Sequence, residues 1–453
     1  MSAPSDDAGI GGPSASEWDA IEAAIGAPVV EDHDHADPAE HDGAHNLELL
    51  ALVKGEEGRV PRPTESYIET AVKNGYAYLC RTGPEQGLVI FDMADPEHPT
   101  QVGYINLEAG FEPDIEVSDD GQWAFWETQR FPTSAELPNV LEPGANLQRG
   151  VHIVDISDKS APTWAGFSPT PPDGPHSITY ANVSGRHNLF QSVYAFAYAY
   201  GGVDVPRTQR LVISELDASG PVATLTTLAE YVDPEAMGLD RMPHDVSVAV
   251  HPITGRTYAY VAYWDVGVVI LDVTDPAAPE RVGVANDFGP AGYGDIHMAR
   301  QFPHTIAGRV VVVAEPEIGA EPDSGYVTFH DVTDPTAPFY ISGWLLPGNL
   351  TSGGGSLGPH YFDVAEGRVA LASYHAGFWV IDVHNEENLM RPRTAAYALV
   401  NATGETELPG PLAGLSGATA FDAWWYEGYF VGGDVHGGLA VYRYTGPAPS
   451  PVT

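Results

Sequence analysis

Four histidines recur at the same place within a repeated pattern of this sequence. Each stands at the start of a strand-like run, in "GPHSITY", "MPHDVSV", "GDIHMAR" and "GPHYFDV". They are His176, His244, His297 and His360. Imidazole nitrogens are common ligands of zinc, copper and iron, and an all-nitrogen set favours these ions over Mg²⁺ or Ca²⁺. If the four strand starts meet in the fold, the histidines could hold one transition metal ion.

Acidic side chains close to these histidines could orient them. Asp173, Asp245 and Asp295 lie within three residues of three of them. A carboxylate that accepts a hydrogen bond from one ring nitrogen fixes the tautomer that binds a metal through the other nitrogen. Asp114 in "EPDIEV" and Asp422 in "FDAWW" hold the corresponding place in two other repeats. We expect these carboxyl groups to surround or line the same channel.

A purely architectural role is the alternative for the same histidines. In WD-repeat propellers a histidine hydrogen-bonds a buried aspartate, and "PHD" at 243–245 could do the same. The restriction of the histidine to four contiguous repeats favours a metal site over a structural device. A polar mouth that binds substrate without a metal is the third interpretation.

A second group of histidines lies near the start of the chain. The tract "EDHDHADPAEHDGAH" contains His33, His35, His41 and His45 among acidic residues. Such a tract chelates metal loosely and needs no packed core, and a solvated leader is the alternative. Ahead of it, "SASEWDAIEAAIGA" predicts one short amphipathic helix. Residues 1–45 are therefore predicted to form an acidic leader with one helix.

The elements that would position the four histidines form a repeat of roughly 60 residues. Its clearest mark is a glycine-led apolar strand followed by Asp-Pro-x-x-Pro, as in "GLVIFDMADPEHP" and "GVVILDVTDPAAP". Six units begin this strand with glycine, and a degenerate seventh, "RLVISELDASGP", lies between the second and the third of them. Each unit reads as four short strands, and six or eight blades are the alternatives to seven. Proline ends the pairing because it has no N–H for the ladder. The pattern predicts an all-β fold, a seven-bladed β-propeller with four-stranded antiparallel blades.

The two ends of the chain predict that the ring is closed by an N-terminal strand. The seventh unit supplies only three strands, and the missing fourth is available in "NLELLALVKG" at 46–55. Pairing these segments would remove two exposed sheet edges. The propeller is predicted to span 46–446, with 447–453 as a flexible tail. Because the first strand of each blade lines the central channel, the four histidines are predicted to converge at one mouth.

The segments "LVIFD", "VHIVD", "VVILD" and "FWVID" resemble the LVIVD-repeat family of predicted propellers. The resemblance covers nearly the whole chain beyond residue 45 and implies a fold more than a function, since propellers host enzymes and binding modules alike. In architecture alone, the arrangement is similar to the carotenoid-cleaving oxygenases, seven-bladed propellers with a four-histidine iron on the axis. The selenium-binding protein/methanethiol oxidase family is a second such comparison. The likeness does not extend to the sequence motifs of either family.

The composition excludes several classes of partner. The 453 residues include 62 acidic and 20 basic ones, a net charge of −42 that repels nucleic acid and anionic lipid. No apolar run is long enough to predict a membrane span. Cys80 is the single cysteine, so no disulfide within the chain is possible. The acid excess resembles proteins of a high-salt cytoplasm. A cytoplasmic location and export after removal of a signal both stay open.

Two functions are compatible with this pattern. The first is a metal-dependent oxidoreductase or oxygenase that acts on a small organic substrate and holds Fe, Cu or Zn with the four histidines. The second is a non-enzymatic binding or cell-surface module that engages a protein or glycan ligand in saline surroundings. The metal content of the protein would discriminate between them.

Overall fold

Seven antiparallel sheets form a closed ring in the computed structural model of the chain. The structure describes residues 44–53, 67–83, 85–108, 113–129, 149–171, 174–194, 209–235, 241–289, 296–316, 326–346, 358–374, 376–398, 420–435 and 437–447. The predicted leader helix and all but the end of the histidine-rich tract lie outside these residues. Among the described residues, no helix is both long and apolar enough to cross a membrane.

The described strands are short and follow one another with almost no helix between them. In chain order they are β1 (Ala44–His45), β2 (Leu47–Val53), β3 (Tyr67–Lys73), β4 (Tyr76–Arg81), β5 (Gly87–Asp92), β6 (Thr100–Asn106), β7 (Ile115–Val117), β8 (Trp123–Thr128), β9 (Gly150–Asp155), β10 (Thr163–Pro169), β11 (Ser177–Val183), β12 (Arg186–Val193), β13 (Arg210–Asp217), β14 (Thr224–Tyr231), β15 (Pro243–Val250), β16 (Thr257–Tyr263), β17 (Gly267–Asp272), β18 (Glu280–Ala285), β19 (Met298–Gln301), β20 (Val311–Glu315), β21 (Tyr326–Asp331), β22 (Phe339–Leu345), β23 (Phe362–Ala365), β24 (Arg368–Ala372), β25 (Phe378–Asp382), β26 (Arg393–Ala398), β27 (Ala420–Tyr426), β28 (Tyr429–Asp434) and β29 (Gly438–Tyr444). A short helix, α1 (Glu386–Met390), joins β25 to β26.

The strands group into blades in sequence order. Blade 1 is β3–β6, blade 2 is β7–β10, blade 3 is β11–β14, blade 4 is β15–β18 and blade 5 is β19–β22. Blade 6 is β23–β26 with β1 added at its outer edge, and blade 7 combines β27–β29 with β2. The prediction of an all-β, seven-bladed propeller with four-stranded antiparallel blades is confirmed.

The N-terminal segment of the described chain ties the last two blades together. Strand β2 pairs antiparallel with β29, beginning with Leu47 opposite Tyr444. Strand β1, just before it, pairs with β26 of blade 6. Between them Asn46 has a φ of 57° and donates a side-chain hydrogen bond to the Ala395 carbonyl at 2.8 Å. The predicted closing strand is therefore present, and its chain also covers an edge of the neighbouring blade.

The glycines that lead the third strands are needed for close approach of the fourth strands. A Cβ added to Gly87 would lie 2.1 Å from the carbonyl oxygen of Ile105, and φ at Gly87 is 136°. At Gly150 the corresponding distance, to the Ser168 carbonyl oxygen, is also 2.1 Å. A side chain at these positions would push the outer strand away. The repeated glycine in the sequence therefore marks the pairing of β5 with β6 and of β9 with β10.

An apolar cluster of described residues lies between every two neighbouring blades, including between blades 7 and 1. Tyr78, Ile90 and Trp126 belong to the cluster between blades 1 and 2. Phe91 and Val441 belong to the one that closes the ring. Both faces of each sheet are thus buried, which explains why the third strands read as continuous apolar runs rather than alternating ones.

Leu47 provides a test of the closing strand. Its side chain is 4% exposed in the cluster between blades 6 and 7, whereas Leu49 on the same strand is 52% exposed. We expect Leu47→Ala to lower the free energy of unfolding by about 2–4 kcal/mol, because it removes buried methyl groups and leaves a cavity. Leu49→Ala should change it by less than about 0.5 kcal/mol. Denaturant unfolding measures both, and equal effects of the two substitutions would contradict the pairing.

Candidate functional site

The inner strand of each blade lies against the inner strand of the next. Around the ring, β3 contacts β7, β7 contacts β11, β11 contacts β15 and β15 contacts β19. In the same way β19 contacts β23, β23 contacts β27, and β27 contacts β3. Seven strands that share one axis bring their corresponding ends together. The histidine positions are at or just before the start of four of these strands, so they meet at one end of the channel.

The structure brings the four predicted histidines together in an arc. The ring centroids of His176 and His244 are 4.5 Å apart, those of His244 and His297 are 4.4 Å apart, and those of His297 and His360 are 4.7 Å apart. All four residues are between 1% and 7% exposed. Residues separated by 53 to 68 positions in the sequence therefore form one continuous run of imidazoles.

A bulge at the mouth helps to aim consecutive side chains inward. In β15 the pairing with β16 shifts between Pro243 and Asp245, so that His244 is the extra residue. Strand β27 shifts in the same way between Ala420 and Asp422, at Phe421. A bulge re-aims side chains and is common beside functional sites.

Three of the imidazoles present the same nitrogen to an acceptor. The contacts are His176 Nδ1 to Gln129 Oε1 at 2.9 Å, His297 Nδ1 to Glu315 Oε1 at 2.9 Å, and His360 Nδ1 to the Phe421 carbonyl oxygen at 2.7 Å. An acceptor beside a neutral imidazole nitrogen places the ring hydrogen on that nitrogen. The partners of His176 and His360 are oxygens that only accept, so these two rings carry their hydrogen on Nδ1, whereas the Glu315 carboxyl group can accept from Nδ1 of His297 or donate to it.

His244 has different surroundings. Its ring stacks on Trp264 with an interplanar angle of 9° and a centroid distance of 5.2 Å. It lies between His176 and His297 in the arc. The stack fixes the plane of the His244 ring. His244 thus differs from the other three histidines, each of which is held by a contact at Nδ1.

Burial keeps the arc uncharged at neutral pH. It lowers the pKa of His176 and of His360 to about 3. For His244 and His297, burial and then the neighbouring imidazoles hold the pKa well below its usual value. Neutral imidazole is the form that binds a metal, so protons do not compete for these nitrogens near pH 7.

A tier of aspartates follows the histidines along the channel. Asp114 accepts hydrogen bonds from its neighbour Ile115 N–H at 2.6 Å and from Ile178 N–H of blade 3 at 2.7 Å. Asp422 does the same for Thr70 N–H of blade 1, at 3.0 Å. Asp114 and Asp422 therefore occupy the same position in their blades as Asp245 does in blade 4, one residue after the histidine position. They link neighbouring blades at the axis.

Asp245 joins this tier to the arc. It accepts hydrogen bonds from the Val246 N–H and from the Ser177 hydroxyl, the latter at 3.2 Å. The Tyr361 side chain also hydrogen-bonds it. The Tyr361 ring contacts both His297 and His360, with centroids 5.1 and 4.5 Å away.

The guanidinium group of Arg300 partly offsets the negative charge of the carboxyl groups in the channel. Arg300 donates to Asp363 Oδ1 at 2.9 Å, and its guanidinium carbon lies 5.3 Å from the centre of a Trp424 ring. Its charge also lowers the pKa values of Glu116, Asp245 and Asp422. Arg300 therefore acts on carboxyls from blades 2, 4, 6 and 7.

Burial nevertheless dominates the acidity of these carboxyls. It raises the pKa of Asp245 and of Asp422 to about 6, and that of Glu116 to about 7. For Asp114, burial and then the Glu116 charge raise the pKa well above its usual value. The channel thus holds carboxyl groups that remain partly protonated in mildly acidic solution.

Several predicted residues are placed elsewhere or are not described. Asp173, Asp295, His33, His35 and His41 lie outside the described residues. His45 belongs to β1, where its ring stacks on Tyr397 with centroids 5.9 Å apart. Within the described parts of the chain, no group of three or more His, Cys, Asp or Glu side chains is placed to hold a metal ion.

The partners of the imidazoles were missed by the sequence analysis. Gln129 comes from blade 2, and the Phe421 carbonyl comes from blade 7, so neither is near its histidine in the sequence. Glu315 carried a usable signal, because it is the one charged residue of the buried strand "VVVAE". Arg300 likewise interrupts the inner strand "MARQ".

Comparison with known proteins identifies the repeat. The family model of the LVIVD repeat matches residues 69–106, 145–168 and 255–287. The chain carries LVIVD repeats. The three matches fall in blades 1, 2 and 4 and include their third strands. No curated protein matches the chain.

The chain is also similar to several solved structures at low sequence identity. The β-propeller domain of Cps50 (Swd1) from Myceliophteria thermophila is 10% identical, with 88% of this chain and 99% of that chain covered and a TM-score of 0.51. A functionally unknown protein from Desulfotomaculum acetoxidans is 13% identical, with coverages of 78% and 88% and a TM-score of 0.47. A putative 6-phosphogluconolactonase from Bacteroides fragilis is 13% identical, with coverages of 85% and 98% and a TM-score of 0.47.

Glu116 provides a test of the carboxyl tier through pH. Because its pKa is raised to about 7, the folded protein retains a proton that the unfolded chain releases at lower pH. The stability from this group is full below the pKa of the unfolded chain, about 4.5, and is lost as the pH rises through 7. As the pH rises from 5 to 8, we expect the thermal midpoint of the wild-type protein to fall relative to that of Glu116→Gln.

The buried histidines act in the opposite direction, because their pKa values are lowered and the unfolded chain binds protons around the ordinary histidine pKa of about 6.5. They are common to both proteins, so the difference between the wild type and Glu116→Gln isolates the carboxyl group. The matched control is Glu387→Gln, where the carboxyl is 74% exposed in a surface pair with Arg393. It should leave the pH dependence of the wild-type protein unchanged. An equal pH dependence in Glu116→Gln and the wild type would contradict the assignment.

Proposed function

We propose that the arc of imidazoles at the mouth of the channel is a transition-metal site, held by His176, His297 and His360 with His244 between them. The observation that carries the proposal is the shared hydrogen-bonding pattern. In three blades Nδ1 of the histidine lies 2.7 to 2.9 Å from an oxygen atom of the protein. Metal-binding histidines characteristically donate their other ring hydrogen to a carbonyl or carboxylate in this way.

The chemistry of the donors fits iron, copper or zinc. The rings are neutral, buried and 4.4 to 4.7 Å from their neighbours in the arc. Among the described residues no group of three or more His, Cys, Asp or Glu side chains is placed to hold a metal ion. Binding therefore requires the imidazoles to shift while they keep their Nδ1 contacts.

We extend the proposal to oxidoreductase or oxygenase chemistry on a small organic substrate. Nitrogen ligands suit redox-active iron and copper, and three protein ligands leave positions open for other groups. When bound, such an ion would supply electron transfer or activation of oxygen. The chain's own residues would hold the ion, exclude bulk water from it and keep its ligands deprotonated.

Elemental analysis tests the metal proposal. After dialysis against a weak chelator, the full chain should retain about one transition metal ion, because a site of three or four imidazoles binds tightly. His297→Ala and His360→Ala should lose most of it. His330→Asn is the matched control, since His330 is fully buried in the third strand of blade 5 and hydrogen-bonds Thr328.

The leader must be separated from the channel in this experiment. A variant with His33, His35 and His41 changed to Asn removes the loose chelation expected of the tract, and it should keep the tightly held ion. Wild-type protein that holds no metal after loading, or channel variants that keep the full load, would rule out the metal site.

A non-enzymatic binding module remains the second candidate, and one observation favours it. The imidazole of His360 donates to the backbone of blade 7, and the backbones of His297 and His360 hydrogen-bond the rings of His244 and His297. Rings that bind the next blade's backbone could serve to hold the blades together. Under this reading the histidine variants lose stability, and the wild-type chain holds no ion.

A further inference from the structure

Glu315 is a costly residue for the position that it holds. It is the last residue of β20 and is fully buried, next to His297, which is 1% exposed. Burial of a carboxyl group is unfavourable unless specific partners compensate for it. The rest of β20 is apolar, so the strand would pack without the charge. The carboxyl group therefore calls for an explanation beyond folding.

Two links hold Glu315 to one histidine. The His297 N–H donates to the Glu315 carbonyl at 2.9 Å, and Nδ1 of the same residue lies 2.9 Å from Glu315 Oε1. The backbone link fixes the distance between the two strands. The side-chain link then fixes the rotation of the imidazole, because Nδ1 must point at the carboxyl group.

In two other blades a neutral group makes the same contact with Nδ1 of the histidine. An amide oxygen of Gln129 meets Nδ1 of His176, and a backbone carbonyl of Phe421 meets Nδ1 of His360. A neutral acceptor is thus sufficient to hold an imidazole at this mouth. A carboxylate does more than a neutral acceptor, because it draws the Nδ1 hydrogen more strongly and makes Nε2 a better electron donor.

We propose that Glu315 is a positioning residue that keeps the hydrogen of His297 on Nδ1, so that Nε2 carries the lone pair of the ring. The consequence for metal binding rests on the proposed function. The tautomer itself does not, since it is a property of the metal-free protein.

A competing arrangement uses the same two residues. The backbone of His360 also hydrogen-bonds the His297 ring. A protonated Glu315 could donate to Nδ1 while Nε2–H donates to that backbone. Under this arrangement His297 would have its hydrogen on Nε2 and no lone pair for a metal.

Nuclear magnetic resonance of metal-free protein with ¹⁵N-labelled histidine distinguishes the two arrangements. Correlations between the ring nitrogens and the carbon-bound ring hydrogens report the tautomer, and the missing signals in His297→Gln assign the residue. We expect the Nδ1–H form in the wild-type protein at pH 7. An Nε2–H form there would overturn the proposal, whatever the variants do.

Substitutions of Glu315 test its causal role. Glu315→Ala and Glu315→Leu should move His297 to the Nε2–H form or to a mixture, whereas Glu315→Gln should keep Nδ1–H because an amide oxygen remains. Glu127→Gln is the matched control, since it removes another fully buried carboxyl near the end of a second strand. An unchanged His297 tautomer in the folded Ala and Leu variants would overturn the proposal.

A Co²⁺ titration, followed by visible absorption, tests the consequence for the metal site. Glu315→Gln should bind Co²⁺ about 10–100-fold more weakly than the wild type with the same stoichiometry, as loss of such a carboxylate typically does. Equal affinity would overturn the claim that the charge strengthens His297. If wild-type protein binds no Co²⁺, the proposed function fails, and the tautomer result alone decides the assignment of Glu315.

Discussion

Crowding of seven inner strands around one axis is the constraint on which the rest of this structure depends. Polar groups at the axis have little access to bulk water, so they must find partners in the neighbouring blade. Asp114 accepts a hydrogen bond from a backbone N–H of blade 3, and Asp422 accepts one from a backbone N–H of blade 1. The Ser247 hydroxyl of blade 4 donates to the Ala299 carbonyl of blade 5 at 2.6 Å. These links hold the blades in register at the centre, while apolar clusters hold them together farther out.

The same crowding sets the electrostatics of the channel. Carboxyl groups that bind neighbouring backbones are forced close to one another, and Arg300 is placed where it acts on several of them. Burial raises their pKa values despite this cation. Burial lowers the pKa values of the four imidazoles at the adjoining mouth, so these rings are uncharged near pH 7. A neutral, nitrogen-rich mouth therefore adjoins an acidic tier within one channel.

Histidine occupies this position in blades 3 to 6 but not in blades 7 and 1, which argues that the histidines do more than hold the blades together. Blades 3 to 6 supply histidine, whereas Phe421 of blade 7 takes the corresponding place and contacts the His360 ring with centroids 3.9 Å apart. Blade 1 presents Ile68 in the same apolar cluster as Phe421. The ring closes equally well at these blades, so histidine is not required for closure. What three of the imidazoles share is an oxygen partner at Nδ1, which closure of the ring does not need.

Local sequence determined most of the architecture. Strand pattern, turn residues and the glycines before the third strands depend on neighbours a few positions away, and they predicted the blade number and the closing strand. The repeat also predicted that His176, His244, His297 and His360 would meet, because equivalent positions of a ring converge. Tertiary structure alone decided the chemistry around them. Gln129, the Phe421 carbonyl and Arg300 act on residues of other blades, and bulges at the strand starts set which side chains face the axis. Such contacts depend on the shape of the closed ring, so no local pattern could reveal them.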